Sequence, residues 1–182
     1  WNKLENKGSE CYNKVKKVLQ GRDFVRILVF SDTHRQIIDA ENVINNLVGV
    51  DAVIHCGDHL SDAKRLEAEF PGIDFYYVSG NCDGDSSRPY LLAEFEEKKI
   101  FITHGHLYNV KAETECEYKT IRTEGKKLGA DAVVFGHTHV PYNRDWGDMV
   151  VLNPGSIKSR GTYGVIEIEN GKLKAATCSI IW

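Results

Sequence analysis

Seven side chains able to hold a metal ion recur at one kind of place in this chain, directly after an apolar run. Ile27-Leu28-Val29-Phe30 leads into Ser31-Asp32-Thr33-His34, Val53-Ile54-His55-Cys56 into Gly57-Asp58, and Tyr76-Tyr77-Val78 into Ser79-Gly80-Asn81-Cys82-Asp83. Ile100-Phe101-Ile102-Thr103 leads into His104-Gly105-His106, and Val133-Val134-Phe135 into Gly136-His137-Thr138-His139. Asp32 and His34 are two apart, so an extended backbone points both to one side. Taken singly, a histidine is more often surface or satisfied core, and an Asp after Gly is often only a helix cap. Taken together, Asp32, His34, Asp58, Asn81, His104, His137 and His139 are each costly to desolvate without a partner, and a metal centre supplies one. Carboxylate and amide oxygens with four imidazoles and no thiolate suit manganese, iron, cobalt, nickel or zinc, and disfavour a calcium cage or an iron-sulfur cluster. Seven ligands exceed one tetrahedral ion. Two divalent ions about 3.5–4 Å apart, bridged by a carboxylate and a hydroxide, would use them all.

The elements that must position these residues follow from periodicity. The β-branched run ending at Phe30 has no polar alternation, which predicts a strand buried on both faces and covered by helices. A helix over about residues 36–48, a strand at 52–56, a helix over 61–70 capped by Ser61 and a strand at 73–78 complete βαβαβ, hence parallel pairing and right-handed crossovers. After a Gly- and Ser-rich loop at 80–89, two short strands meet at Glu97-Lys98, and a long polar helix is expected over 112–128. The rest reads as strands at 132–135, 142–146, 149–152, 163–169 and 172–181, the last two joined by Asn170-Gly171, a strong hairpin signal. Two sheets packed as one sandwich with helices outside accommodate this order. Residues 1–23 read as an extension before a domain at 24–182. In it Leu4, Cys11, Tyr12, Val15, Val18 and Leu19 fall at helical spacing, for docking on the body or on another subunit, or as a basic membrane-surface helix.

Composition bounds the function. A chain of 182 residues suits one domain with a sizeable core, and a formal net charge of −3 argues against bulk nucleic-acid or anionic-membrane binding. No apolar run is long enough to span a bilayer. Five scattered cysteines without a Cys-x-x-Cys pair support neither a disulfide framework nor a structural zinc knuckle, so a reducing cytoplasm is the simplest setting.

The five motifs, in this order and spacing, resemble the calcineurin-like metallophosphoesterase superfamily, and among it the small single-domain branch of YfcE-type and archaeal phosphodiesterases that also includes the Vps29-type retromer subunit. The resemblance runs from about Val25 to the C-terminus and includes the Asn153-Pro154-Gly155-Ser156 loop. It implies a four-layer α/β/β/α sandwich of two mixed sheets. It also implies that Asp32, His34, Asp58 and His139 hold one ion and Asp58, Asn81, His104 and His137 the other, manganese first among the metals, with Asp58 bridging. The activity implied is hydrolysis of a small phosphodiester by a bridging metal-bound hydroxide, without a covalent intermediate.

Larger relatives carry a histidine where this chain has Cys82, and that histidine is thought to protonate the leaving group. An unperturbed thiol near pKa 8.5 is a poor substitute, which leaves His59 and His106 as candidate acids, or as histidines that orient a ligand. Arg35, where the family usually has Gly, suits a phosphate oxygen. Arg88, Lys158 and Arg160 read as surface residues, Asn153 and Ser156 as builders of a turn. Neutral imidazole ligands predict activity that declines below about pH 6.5. The alternative is a Vps29-like interaction scaffold, whose kind tends to lose a site histidine; a nuclease would need basic charge and a DNA-capping domain.

Overall fold

The computed structural model describes residues 16–17, 24–84, 87–114 and 117–180. Among the described residues, eleven strands and four α-helices follow the expected alternation. β2 (Phe24–Phe30), β3 (Ala52–His55) and β4 (Asp74–Tyr77) pair in parallel, with α1 (Ile38–Asn46) and α2 (Leu60–Glu69) as crossovers. β10 (Thr162–Glu169) and β11 (Lys172–Ser179) extend that sheet antiparallel, giving the order β11-β10-β2-β3-β4. The second sheet runs β1-β5-β6-β7-β9-β8, from β1 (Lys16–Lys17), β5 (Tyr90–Phe95), β6 (Lys98–Thr103), β7 (Ala132–Val134), β8 (Tyr142–Asp145) and β9 (Val150–Asn153). Both sheets mix parallel and antiparallel pairs.

Strand alternation explains the layers. Val25, Ile27 and Val29 of β2 face the inter-sheet core with Ile54, Phe95, Ile100, Ile102, Val134 and Leu152, whereas Leu28 and Phe30 face α1 and α2 with Val43, Ile44 and Leu66. The far face of the second sheet packs Phe101, Val133 and Val151 against Ile121 of α3 (Lys119–Lys127) and Phe135. Three apolar layers between four structural layers make the α/β/β/α sandwich. Arg26 interrupts the apolar run of β2 because its guanidinium lies at the strand's start, where it binds Glu167 at 2.8 Å and donates to the Val48 carbonyl.

Several boundaries differ from the sequence reading. The helix expected over residues 1–20 lies outside the described residues except for Lys16 and Lys17, which are extended and pair in parallel with β5. The polar helix is shorter than expected. A 3₁₀ turn at His106–Tyr108 and irregular chain precede α3, which starts only at Lys119 because Asn109 and Tyr118 are left-handed. Ser61 does not cap α2; Asp83 does, accepting from the Leu60 N–H at 2.7 Å and the Gly80 N–H at 2.8 Å. The β5–β6 turn sits at Glu96-Glu97, both with positive φ, one residue earlier than predicted. A short helix α4 (Ile157–Arg160), capped by Ser156, was not anticipated.

Phe95 of β5 meets Tyr76 of β4 edge-on, centroids 5.0 Å apart, and so ties the two sheets together with no exposure of its own. Phe95→Ala is expected to cost about 3–5 kcal/mol, read as a lower urea midpoint at unchanged m-value. A loss under about 1 kcal/mol would show that the inter-sheet core closes over the gap.

Candidate metal centre

The carboxyl ends of β2, β3, β6 and β7 meet at one end of the sandwich, and their exits are stitched to one another by backbone. Asp32 N–H donates to Gly57 O at 3.1 Å, and Gly136 N–H to His104 O at 3.1 Å. Close approach demands glycine: a Cβ on Gly80 would lie 2.1 Å from Asp58 Oδ1, and one on Gly136 would lie 1.8 Å from Ser31 Oγ. Asp32, His34, Asp58, His137 and His139 all have positive φ. Each costs on the order of 1 kcal/mol of backbone strain, accepted where the packing fixes a functional side chain.

All seven predicted ligands come together here. Asp32, His34 and His139 form one cluster of potential ligand atoms within 4.8 Å of one another, and Asp32, Asp58 and His104 form another. Asn81 Oδ1 and His137 Nδ1 stand 3.1 and 3.2 Å from His104 Nε2.

The donor set fits cations on two observations. His104 Nδ1 is 2.7 Å from the Cys56 carbonyl, which only accepts, so that nitrogen carries the ring's proton. Burial keeps His104 neutral down to about 4, so Nε2 presents a lone pair. That lone pair faces Asn81 Oδ1 and, at 3.4 Å, Asp58 Oδ1, both acceptors, and His137 Nδ1 at 3.2 Å, which donates or accepts according to its tautomer. Secondly, Asp32 is fully buried: its Oδ2 accepts from Ser31 Oγ at 2.6 Å and His137 N–H at 3.1 Å, yet Oδ1 accepts no hydrogen bond among the described residues. His139 Nε2 lies 3.0 Å from Oδ1 without hydrogen-bond alignment. Acceptors turned toward one another in this way leave room for a positive ion rather than a proton.

Behind the ligands lies a layer that sequence reading did not single out. The Gly57 N–H donates to His55 Nδ1, which leaves His55 Nε2–H for Thr33 Oγ1 at 3.2 Å; Thr33 donates in turn to Asp62 at 2.7 Å, where the Arg35 N–H also binds. His55, Thr33 and Asp62 are buried, and burial holds His55 neutral down to about 4. Asn153 donates to Gly136 O and Thr138 Oγ1 and accepts from the Gly155 N–H, while Ser156 donates to Asp32 O. These two residues build and position the turns, in agreement with the sequence reading.

On the rim, His59 stands edge-on to His34 and His106 lies beside His104, each with centroids 5.4 Å apart. Cys82 is exposed; its Sγ lies within 4.8 Å of ligand atoms of His34 and Asp58, and its backbone N–H donates to Asp58 Oδ1 at 2.9 Å. Burial first, then Asp58, raises its thiol pKa. Arg35 is exposed. Lys158 is exposed, as read from sequence, and donates to the His34 carbonyl at 3.3 Å. A cleft of about 320 Å³, between Asp131, Asp148 and Lys172, is lined by none of these ligands.

A complete rim of carboxylate, amide and imidazole donors at one end of such a sandwich defines a metallohydrolase-type domain. The chain belongs to the calcineurin-like phosphoesterase superfamily, whose domain model matches residues 25–171. It is 32% identical over 155 residues to the probable metallophosphoesterase YsnB of Bacillus subtilis, covering 80% of this chain and 86% of that one. It is 27% identical over 167 residues to phosphodiesterase MJ0936 of Methanocaldococcus jannaschii, covering 80% and 94%. A predicted phosphoesterase from Streptococcus pneumoniae superposes with a TM-score of 0.69 at 29% identity, over 86% of this chain and 90% of that one. Vacuolar protein sorting 29 from Cryptosporidium parvum superposes at 0.66 but with 15% identity, over 86% and 98%, a likeness of fold alone.

The pKa shifts set opposing pH dependences. Burial lowers His104 and His137 from 6.5 to about 4, so the stability they contribute is full above 6.5 and is lost as pH falls through about 4. The imidazoles thus stay neutral well below the pH 6.5 expected from sequence. Burial, despite the Ser31 hydrogen bond, raises Asp32 from 3.8 to about 6, so its contribution is full below 3.8 and lost as pH rises through about 6. Above that the ionised carboxylate is a cost that only a cation offsets. Metal-free Asp32→Asn is therefore expected to be more stable than wild type at pH 7.5, by about 1–3 kcal/mol, while manganese raises the Tm of wild type alone. A less stable metal-free variant, or one still stabilised by manganese, would contradict this account.

Proposed function

We propose that the chain is a phosphodiesterase that uses two divalent ions, one held by Asp32, His34, Asp58 and His139, the other by Asp58, Asn81, His104 and His137. The observation that carries this reading is the His104 Nε2 lone pair fixed against Asn81 and Asp58. Divalent ions held by these residues would supply Lewis acidity toward phosphate oxygens and toward a water. Manganese leads the candidates, with nickel, iron, cobalt and zinc compatible with the same donors. The diester preference is supported by relatives named phosphodiesterases.

The chain's own residues do the positioning. The Cys56 carbonyl holds the His104 tautomer, and Ser31 with the His137 N–H fixes the Asp32 carboxylate so that Oδ1 stays free. Asp58 belongs to both sides of the centre: its Oδ1 lies near His104, and a carboxylate oxygen clusters with a ligand atom of His34. Arg35 is exposed directly after His34, and its guanidinium suits a non-bridging phosphate oxygen. Cys82, its pKa raised, keeps its proton and is a weak donor to a leaving group. His106, its pKa lowered by burial, is neutral at pH 7. The site therefore favours leaving groups that depart without full protonation, with His59 and His106 on opposite sides of the cleft to assist.

The test is hydrolysis of a chromogenic phosphodiester by chelator-stripped protein with manganese restored. Asp58→Ala and His137→Ala are each expected to lower kcat by at least about 100-fold with circular dichroism unchanged. Activity surviving in either variant would rule out the two-ion assignment.

A further inference from the structure

We infer that Asp62 is a positioning residue for one side of the metal centre: a single buried carboxylate oxygen bonds the residues before and after His34 and so holds the turn that aims this ligand. The inference rests on the two-ion reading and names what sustains one half of it. Residues 33–36 form a tight turn, closed by the Gln36 N–H on Thr33 O at 3.0 Å. Its two central residues, His34 and Arg35, are both left-handed, with φ of 43° and 66°. Turns with two such residues are dominated by glycine, asparagine and aspartate, because most side chains crowd the backbone in that conformation. Arginine brings no such preference, so a fold that places it there must hold the turn from outside.

Asp62 does the holding. Its Oδ2 accepts from Thr33 Oγ1 at 2.7 Å and from the Arg35 N–H at 2.8 Å, so one atom ties the chain on both sides of His34. Thr33 is fully buried and Asp62 is 2% exposed, which keeps water from competing for either bond. The direction of the bonds is also set. The Gly57 N–H donates to His55 Nδ1 at 3.2 Å, His55 Nε2–H donates to Thr33 Oγ1 at 3.2 Å, and the one threonine proton goes to Asp62 rather than to Asp58 O at 3.4 Å. The support is rigid, since α2 carries Asp62 in its first turn and Asp83 caps that helix. His104 is aimed by the Cys56 carbonyl on its own ring, whereas His34 is aimed through its backbone. Loss of Asp62 therefore leaves the His104 side in place and lets the left-handed turn relax, which carries His34 out of its cluster with Asp32 and His139.

The experiment titrates manganese into chelator-stripped protein and counts bound ions by electron paramagnetic resonance, for wild type, His34→Ala, Asp62→Ala and the double variant Asp62→Ala, Arg35→Gly. Wild type is expected to bind two ions and His34→Ala one. Asp62→Ala should keep one ion at wild-type affinity and bind the other about 10–100-fold more weakly. Glycine accepts the left-handed turn unaided, so the double variant should recover most of that loss, which a merely structural role for Asp62 would not allow. Should Asp62→Ala fail to fold, Thr33→Val removes one of the two bonds and takes its place, with a smaller loss on the same ion. Both ions held as in wild type, both weakened alike, or no recovery with glycine overturns the inference. One ion per wild-type chain would instead refute the two-ion reading. The clamp is then decided by imidazole nitrogen NMR of the metal-free protein, in which Asp62→Ala must shift His34 and leave His104 in place; His34 unmoved, or His104 moved as far, removes it.

Discussion

Acceptor held against acceptor is the constraint on which the rest of this molecule turns. The free oxygen of Asp32, the lone pair of His104 Nε2, the amide oxygen of Asn81 and the carboxylate of Asp58 would separate if their backbones allowed it. What prevents separation is the stiffness of two sheets whose strand exits are hydrogen-bonded across the rim, with glycines admitting contacts that any side chain would block. The fold spends stability to keep the site poised, in left-handed ligands and a buried carboxylate, and the apolar layers supply it.

The same logic explains the rigid layer behind the ligands. A lone pair is useful only if its direction is fixed, and an imidazole rotates freely unless its other nitrogen is engaged. The Cys56 carbonyl does this for His104. His55, Thr33 and Asp62 do it indirectly, by pinning the chain that carries Asp32, His34 and Arg35 from beneath. Because each member of that chain has a partner, it can be buried without the cost that an isolated Asp62 or His55 would impose.

Much of this was legible in sequence, for physical reasons that also mark where legibility ended. The ligands announced themselves because each follows an apolar strand, a local pattern, and the Asn170-Gly171 hairpin because its turn needs two left-handed residues. The Glu96-Glu97 turn needs the same geometry but uses residues with no such preference, so the register was read one residue late. Asp83 caps a helix that begins 23 residues before it, and no window along the chain contains both partners. The roles of His55 and Asp62 likewise depend on neighbours brought by the fold.

The ligands are divided between the sheets: Asp32, His34, Asp58 and Asn81 follow strands of the first, His104, His137 and His139 follow strands of the second. Neither sheet alone carries a complete site. Under the proposed assignment, firm metal capture would follow docking of the two halves. A chain stalled with only one sheet formed offers the cell's metal pool no more than a weak, open set of ligands.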